Sequence, residues 1–295
     1  MSNTVVNTNV MALNSHRALK SVGNSQAKAS ARLSSGLKVN TGADDAAGLA
    51  ISEKMRSQIR GLDMASKNAQ DAISMIQTAD GGLTEINNMV QRIRELTVQA
   101  SNDTNQKLDD VGVSAREASD TIKLAKEASQ LVTEIDAMAG RTEFNKKKLL
   151  TNSDGASAST DQNSFHMQVG ANSSQSLEVV INHITTSRMG ITDAANNILS
   201  GASTASQYLS VIDSALRVVS EERASLGAYQ NRLEYTIKSL DIASENTSAA
   251  ESRIRDADMA REMMNISKAN VLQQAATSML AQANQSPQNV LQLLR

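Results

Sequence analysis

The sequence predicts a mainly α protein: a long antiparallel helical coiled-coil rod with a small β-hairpin region and a terminal two-helix coiled coil. Three observations predict it. Only 2% of the 295 residues are aromatic while 40% are hydrophobic, so the apolar surface comes from Ala, Leu, Ile, Val and thirteen Met, side chains suited to close helix packing. One proline, Pro287, and fourteen scattered glycines permit long uninterrupted helices. Over most of the chain, apolar residues recur in steps of three and four.

The N-terminal segment opens a helical stripe at Val6, Val10 and Leu13 that decays into Ala27, Ala29 and Ala31 before Leu33. From about Ala43 to Leu96 the spacing is strict: Met55, Ile59, Leu62, Ala65, Ala69, Ile73, Ile76, Ala79, Leu83, Ile86, Val90, Ile93 and Leu96. The mean step is about 3.4, closer to the coiled-coil repeat of ~3.5 than to the ~3.6 of a solitary helix. Gly61 and the Gly81-Gly82 pair interrupt it and imply close approach of a neighbour or a local bend. The polar run Ser101–Asn105 ends this helix. A second seam then runs through Val111, Ala115, Ala118, Ile122, Ala125, Ala128, Val132, Ile135 and Ala139.

Residues 151–164 are small, polar and aperiodic, and read as an exposed loop. His166–Val169 and Leu177–Ile181 flank Gly170–Gln175 as two short strands and a turn. A third helical seam follows through Leu209, Ile212, Leu216, Val219, Leu226, Leu233, Ile237 and Leu240, with Arg223 and Gln230 in register as half-exposed or register-setting positions. Three seams imply three helices on one core. Near the C-terminus, Ala250, Ile254, Ala257, Ala260, Met264, Ser267, Val271, Ala275 and Met279 form a further stripe. Pro287 is expected to break that helix before Val290, Leu291, Leu293 and Leu294.

Each terminal stripe has no evident partner within the chain except the other. An amphipathic pair too weak to fold alone has the character of an assembly interface. Its candidate residues are Val6, Val10, Leu13, Leu33, Ile254, Met264, Val271, Met279, Leu291 and Leu294.

Several functions are disfavoured. A balance of 29 Lys+Arg against 31 Asp+Glu, with no basic block beyond Lys146-Lys147-Lys148, leaves no electrostatic footprint for nucleic acid. Without cysteine there are no disulfides or thiolate metal sites. The first ten residues lack the basic and apolar regions of a signal peptide, and no stretch approaches the roughly 18 apolar residues of a membrane span, so a soluble, unprocessed chain is expected. His16, His166 and His183 lie in different elements without ligand spacing, which favours surface or packing roles. Asp44-Asp45 and Asp109-Asp110 sit where helices begin and suit helix N-termini better than acid–base work. With no phosphate loop or nucleophile motif, neither an enzyme nor a cofactor is expected.

Several runs resemble bacterial flagellin. They are Arg32–Leu37 (RLSSGL) with Ala43–Ile51 (ADDAAGLAI), Gln91–Gln99 (QRIRELTVQ), Thr142–Asn145 (TEFN), Val169–Asn172 (VGAN), Leu226–Leu233 (LGAYQNRL) and the ending Met279–Leu291 (MLAQANQSPQNVL). The resemblance covers nearly the whole chain. It implies an inner terminal coiled-coil domain of residues 1–42 and 243–295, a helical rod domain of 43–140 and 191–242, and a β-hairpin or loop region at 141–190 with room for only a short surface insertion. Compared with the family pattern, the second helix is long around Gln106–Ser119. Gln26 and Ser30 stand where larger apolar residues are common, which would weaken the terminal coiled coil.

The function implied is a structural subunit that self-assembles into the flagellar filament for swimming motility, its terminal helices folding on polymerisation. The alternative is a hook–filament junction protein. An adhesin or enzyme would need a larger middle insertion or a catalytic cluster. Implied partners are other copies of the chain, an export chaperone on about Ile254–Leu294, the filament cap and hook-associated proteins, and a host Toll-like receptor contacting Arg92, Leu96 and Glu127. The implied location is extracellular, in the filament, reached through the flagellar type III channel without a cleaved signal peptide.

Overall fold

The computed structural model describes residues 9–102, 120–151, 162–199 and 202–293. Its elements, in chain order, are helices α1 (Val10–Ser35), α2 (Ala46–Ala100) and α3 (Asp120–Arg141), strands β1 (Glu143–Phe144), β2 (Lys147–Lys148), β3 (Gln162–Gln168) and β4 (Ser176–Asn182), and helices α4 (Thr186–Met189), α5 (Ala194–Leu199), α6 (Ala202–Arg255) and α7 (Met259–Leu293). The expected class holds: long helices, with two small antiparallel two-stranded sheets. The expected start of the second helix, including Val111, Ala115 and Ala118, lies outside the described residues, as do Asp109 and Asp110.

The chain divides into two compact units. One comprises Arg60–Ala243. Its core is the convergence of three seams that keep one spacing. On α2 it runs through Leu62, Ala65, Ala69, Ala72, Ile76, Ala79, Leu83, Ile86, Val90, Ile93, Thr97 and Ala100, all buried. On α3 it runs through Ala125, Ala128, Val132, Ile135 and Ala139, and on α6 through Ala205, Tyr208, Ile212, Ala215, Val219, Glu222, Leu226, Leu233 and Leu240. Steps of three and four alternate, the signature of knobs packed into holes, and small Ala positions between Leu and Ile let the backbones approach. The α2 seam takes Ala72 where the sequence suggested Ile73, which is only half-buried.

Glycines on α2 answer the expectation of a close neighbour in two of three cases. A Cβ at Gly61 would lie 2.8 Å from the Ala171 Cβ, and one at Gly82 would lie 2.6 Å from the Thr142 Oγ1, whereas Gly81 faces open space. The helix is unbroken through all three.

The hairpin β3–β4 pairs from Gln162 with Asn182 to Gln168 with Ser176. Leu177, Val179 and Ile181 point into the core and alternate with exposed residues, so one face is buried and one is free. The exposed-loop reading of 151–164 was too long at its end: Gln162, Asn163 and Ser164 belong to β3 because they complete this ladder, and 152–161 lie outside the described residues. The smaller hairpin β1–β2 turns through Asn145 and Lys146, both with positive φ (50° and 64°), the two-residue geometry that matches strand twist.

Polar groups dock these pieces, Glu222 and Thr186 among them buried. The Glu222 carboxylate accepts from the Asn182 backbone N–H at 3.0 Å and from its Nδ2 at 2.7 Å, tying β4 to α6. Asp136 on α3 accepts from the Thr186 N–H (2.9 Å) and Oγ1 (2.6 Å), fixing the start of α4. Asn163 Nδ2 donates to the carbonyls of Lys148, Leu149 and Thr151, and its Oδ1 lies 3.1 Å from His183 Nε2. Arg223 and Gln230 are half-exposed, one of the two roles expected of them, and the buried polar residue in the α6 seam is Glu222. Arg223 pairs sideways with Asp80 at 2.8 Å, and Gln230 donates to Glu234 at the surface.

The second unit comprises Met1–Ile59 and Ser244–Arg295. Here α1 and α7 lie antiparallel. Asn9 Nδ2 donates to the Ala283 carbonyl (2.7 Å), Gln26 Nε2 to Asn270 Oδ1 (2.7 Å), and Arg32 sits 3.6 Å from Glu262. Gly36 ends α1 in the left-handed conformation (φ 71°), its N–H returning to the Arg32 carbonyl. The breaks between α1 and α2 and between α6 and α7 are stitched to each other. Lys38 N donates to the Arg255 carbonyl at 2.7 Å, Ala257 N donates to the Gly36 carbonyl at 2.9 Å, and Val39 is buried beside them. Asp45 caps α2 through the Gly48 N–H (2.9 Å) and Asp258 caps α7, so the N-terminal role expected of Asp45 is observed. Asp44 instead closes a turn with Thr41, and the Thr41 hydroxyl and N–H hold its pKa below the usual carboxylate value.

The expected break at Pro287 is corrected: α7 continues through it to Leu293. Proline removes one helical donor, and ordinarily costs ~3 kcal/mol in a helix interior, but does not by itself forbid the flanking turns.

Candidate assembly face

The α1–α7 pair meets along a seam that the stripes read from the sequence do not follow. On α1 the residues turned inward are Ala12, Ser15, Leu19, Val22, Gln26, Ala29 and Leu33; on α7 they are Glu262, Ile266, Ala269, Ala276, Leu280 and Ala283. The α1 set alternates by threes and fours, and the α7 set does so apart from one step of seven between Ala269 and Ala276, so this is a coiled-coil seam. It is a thin one, in which only Ala29, Glu262, Ala269 and Ala283 are buried. Gln26 occupies an inward position as expected and spends its amide on Asn270, while Ser30 is exposed.

Several large apolar residues lie on other faces. Val10 (48% exposed) and Leu13 (58%) point away from α7, Met264 (66%) and Val271 (65%) point away from α1, and Met279 (58%) borders α1 at the edge of the seam. Met11, Met259, Met263 and Leu272 are also exposed. The stripe read from Met264 to Met279 is thus real, but from Met264 to Val271 it is the outer side of α7, and it reaches the edge of the contact with α1 only at Met279. Both α7 faces are apolar because small Ala residues suffice for the inner one. Of the other candidates, Leu33 and Ile254 are half-buried, Val6 and Leu294 lie outside the described residues, and Leu291 lies within α7. Between Met11, Ser15, Met279 and Ala283 the two helices leave an open groove of about 340 Å³.

This surface has the chemistry of a contact face and not of a reaction centre. Full burial of a Val, Leu or Met side chain is worth ~1.5–3 kcal/mol, so a stripe of five left in water is a substantial unrealised gain. Among the described residues no group of three or more His, Asp or Glu side chains could hold a metal, and no helix is long and apolar enough to cross a membrane. His16 and His166 are exposed, and His183 is held by Asn163.

The other candidate patch lies in the Arg60–Ala243 unit. Arg92 Nε donates to Glu127 Oε1 at 2.9 Å and Arg92 NH1 to Glu95 Oε2 at 2.9 Å, and these two carboxylates raise the guanidinium pKa, Glu95 first. Arg92 and Glu127 are brought together at the surface. Leu96 is not presented with them: at 1% exposure it is core, one helical turn from Arg92.

Sequence reasoning missed Glu222, Asp136 and the inner α1 seam. The signal for Glu222 was the alternation Val219–Glu222–Leu226, and for α1 it was Ala12 to Leu33. Both were masked by bulkier residues one position away.

Comparison with known proteins agrees with this geometry. Residues 6–155 match the family model of the bacterial flagellin N-terminal helical region, and residues 209–294 match that of the bacterial flagellin C-terminal helical region. The chain is 49% identical over 291 residues to a flagellin of Halalkalibacterium halodurans, covering 99% of this chain and 100% of that one. It is 47% identical over 311 residues to a flagellin of Bacillus subtilis (98% and 99%). It is also 44% identical over 296 residues to the flagellar filament 31.3 kDa core protein of Treponema maltophilum (99% and 100%). The chain belongs to the bacterial flagellin family and is a structural filament subunit, not an enzyme.

Proposed function

We propose that copies of this chain polymerise by burying the outward stripe of α1 and α7 against neighbouring copies, and that the two helices gain most of their order in that step. The observation that carries this is the exposure of Val10, Leu13, Met264, Val271 and Met279 on a helix pair whose own seam buries only Ala29, Glu262, Ala269 and Ala283. A pair of helices with so thin a seam is marginal alone, and any state in which it binds its neighbours is stabilised by mass action. Val6, Leu291 and Leu294 extend the same contact, and Leu33 and Ile254 support it from the stitched break. In this account residues 1–42 and 243–295 are the inner coiled coil of the filament, 43–140 and 191–242 the rod outside it, and 141–190 its hairpin region.

The product is an extracellular flagellar filament. The remaining parts of the proposal are export through the flagellar type III channel, an export chaperone covering about Ile254–Leu294, addition at the tip beneath a cap above hook-associated proteins, and contact of a host Toll-like receptor with the Arg92–Glu127 pair. Leu96 would act there only by packing beneath Arg92. The test is a chain lacking 271–295, examined by seeded elongation and by circular dichroism. Elongation should be abolished while the helices of the Arg60–Ala243 unit still melt cooperatively. Filaments from the truncated chain would overturn the proposal.

A further inference from the structure

The thirteen methionines are unevenly placed. Met75 and Met189 are buried in the Arg60–Ala243 core, and Met55, Met89, Met138 and Met167 are half-buried. Six described methionines are open to solvent. Five belong to the other unit, namely Met11 on α1 and Met259, Met263, Met264 and Met279 on α7, and only Met64 lies elsewhere. The chain has no cysteine, so thioethers are its only sulfur. A hydroperoxide meeting a free subunit therefore finds its most reactive exposed atoms concentrated on α7.

We propose that these methionines form a redox-sensitive gate on assembly: oxidation of Met259, Met263, Met264 and Met279 in the free subunit removes it from filament growth. In each event the thioether sulfur attacks one peroxide oxygen and the O–O bond breaks. Sulfur is oxidised by two electrons to the sulfoxide, and the second oxygen leaves as water or, from an organic hydroperoxide, as the alcohol. The side chain changes from apolar and adaptable to strongly polar, and burying it without a hydrogen-bond partner opposes the contact. Met259, Met263 and Met264 stand outside the inner seam, and Met279 only borders it across a groove from Met11, so the α1–α7 pairing is touched at one edge alone. The lesion is reversible by a thiol-dependent sulfoxide reductase. This inference rests on the assembly reading above, since the gate exists only if the face is covered in the filament.

Free subunits are treated with hydrogen peroxide, quenched with catalase and added to seeds, with sulfoxides located by peptide mass spectrometry. The elongation rate should fall by about tenfold or more. A variant carrying Met259→Leu, Met263→Leu, Met264→Leu and Met279→Leu, a near-isosteric change, should elongate before treatment and keep its rate after it. Peroxide treatment of preformed filaments should leave the same four positions several-fold less oxidised. If the leucine variant is inhibited as strongly as the unmodified chain, the gate is overturned while the assembly reading stands. Equal oxidation in filament and free subunit would sink the assembly reading, and the gate with it. Should the fourfold variant not elongate at all, oxidised wild-type subunits treated with sulfoxide reductase decide the matter. Recovered elongation supports the gate, and persistent failure after complete reduction overturns it.

Discussion

The two units use one sequence grammar, apolar residues alternating by threes and fours, and reach opposite results. In the Arg60–Ala243 unit the stripe and the seam coincide: Leu83, Ile86, Val90 and Ile93 on α2 and Val219, Leu226 and Leu233 on α6 are wholly buried. In the other unit they separate, because the buried seam positions of α1 and α7 are Ala29, Glu262, Ala269 and Ala283 while Val10, Leu13, Met264 and Val271 face out. Heptad spacing therefore says that a helix has a partner, and side-chain volume says whether that partner is within the chain. A third helix and a hairpin close the first core. In the second, α1 and α7 pair as two helices, so at least one broad face of each is left over.

Matched substitutions sharpen this contrast. The largest difference is expected from one chemical change made in both units. Val219→Ala removes two methyl groups from a fully buried site and should lower the stability of its unit by ~2–3 kcal/mol, seen as a drop in the main thermal transition. Val271→Ala, at a site 65% exposed, should leave the free subunit within about 0.5 kcal/mol and raise instead the concentration needed for elongation. Equal thermal effects at the two sites would break the comparison.

Polar residues in the two seams make the next pair. Glu222→Ala removes the partner of the half-buried Asn182 N–H and amide and should cost ~1–3 kcal/mol in denaturant unfolding. Gln26→Leu replaces an amide that merely reaches Asn270 across a half-open seam, and should strengthen the α1–α7 pair by about 1 kcal/mol. The readout is increased helicity of the dilute subunit.

The smallest pair concerns glycine. Alanine normally improves a helix by ~1 kcal/mol over glycine. At Gly23 on α1 nothing lies within 4 Å of the added Cβ, so Gly23→Ala should realise that gain. At Gly82 the Thr142 Oγ1 would be 2.6 Å away and Leu150 Cδ1 3.3 Å, so Gly82→Ala should be net destabilising by about 1 kcal/mol. Melting temperatures moving in the same direction would show that the two environments do not differ as described.

Much of the fold was legible because period and composition agreed. No strong breaker stands between Ala46 and Ala100, and the alternation in β4 matches a one-sided hairpin. Legibility failed where a small residue carried a structural position beside a large one, as at Ala72 beside Ile73 and Glu222 beside Arg223. Volume drew attention to the bulkier neighbour although register belonged to the smaller. For the same reason the terminal stripes were correctly found and wrongly paired: Met264, Val271 and Met279 make a better hydrophobic pattern than Ile266, Ala269 and Ala276, yet the latter touch α1. The hairpin at Asn145-Lys146 left little trace, since positive φ is rarely signalled by lysine.

The central claim is that α1 and α7 are incomplete in a single copy and completed by neighbours. Hydrogen exchange on the full chain, measured for the dilute subunit and for the filament, tests it most directly. Amides of α1 and α7 should exchange rapidly in the free subunit while those of the α2 and α6 core are protected, and both sets should be protected in the filament. Slow exchange throughout α1 and α7 in the lone subunit would contradict the account.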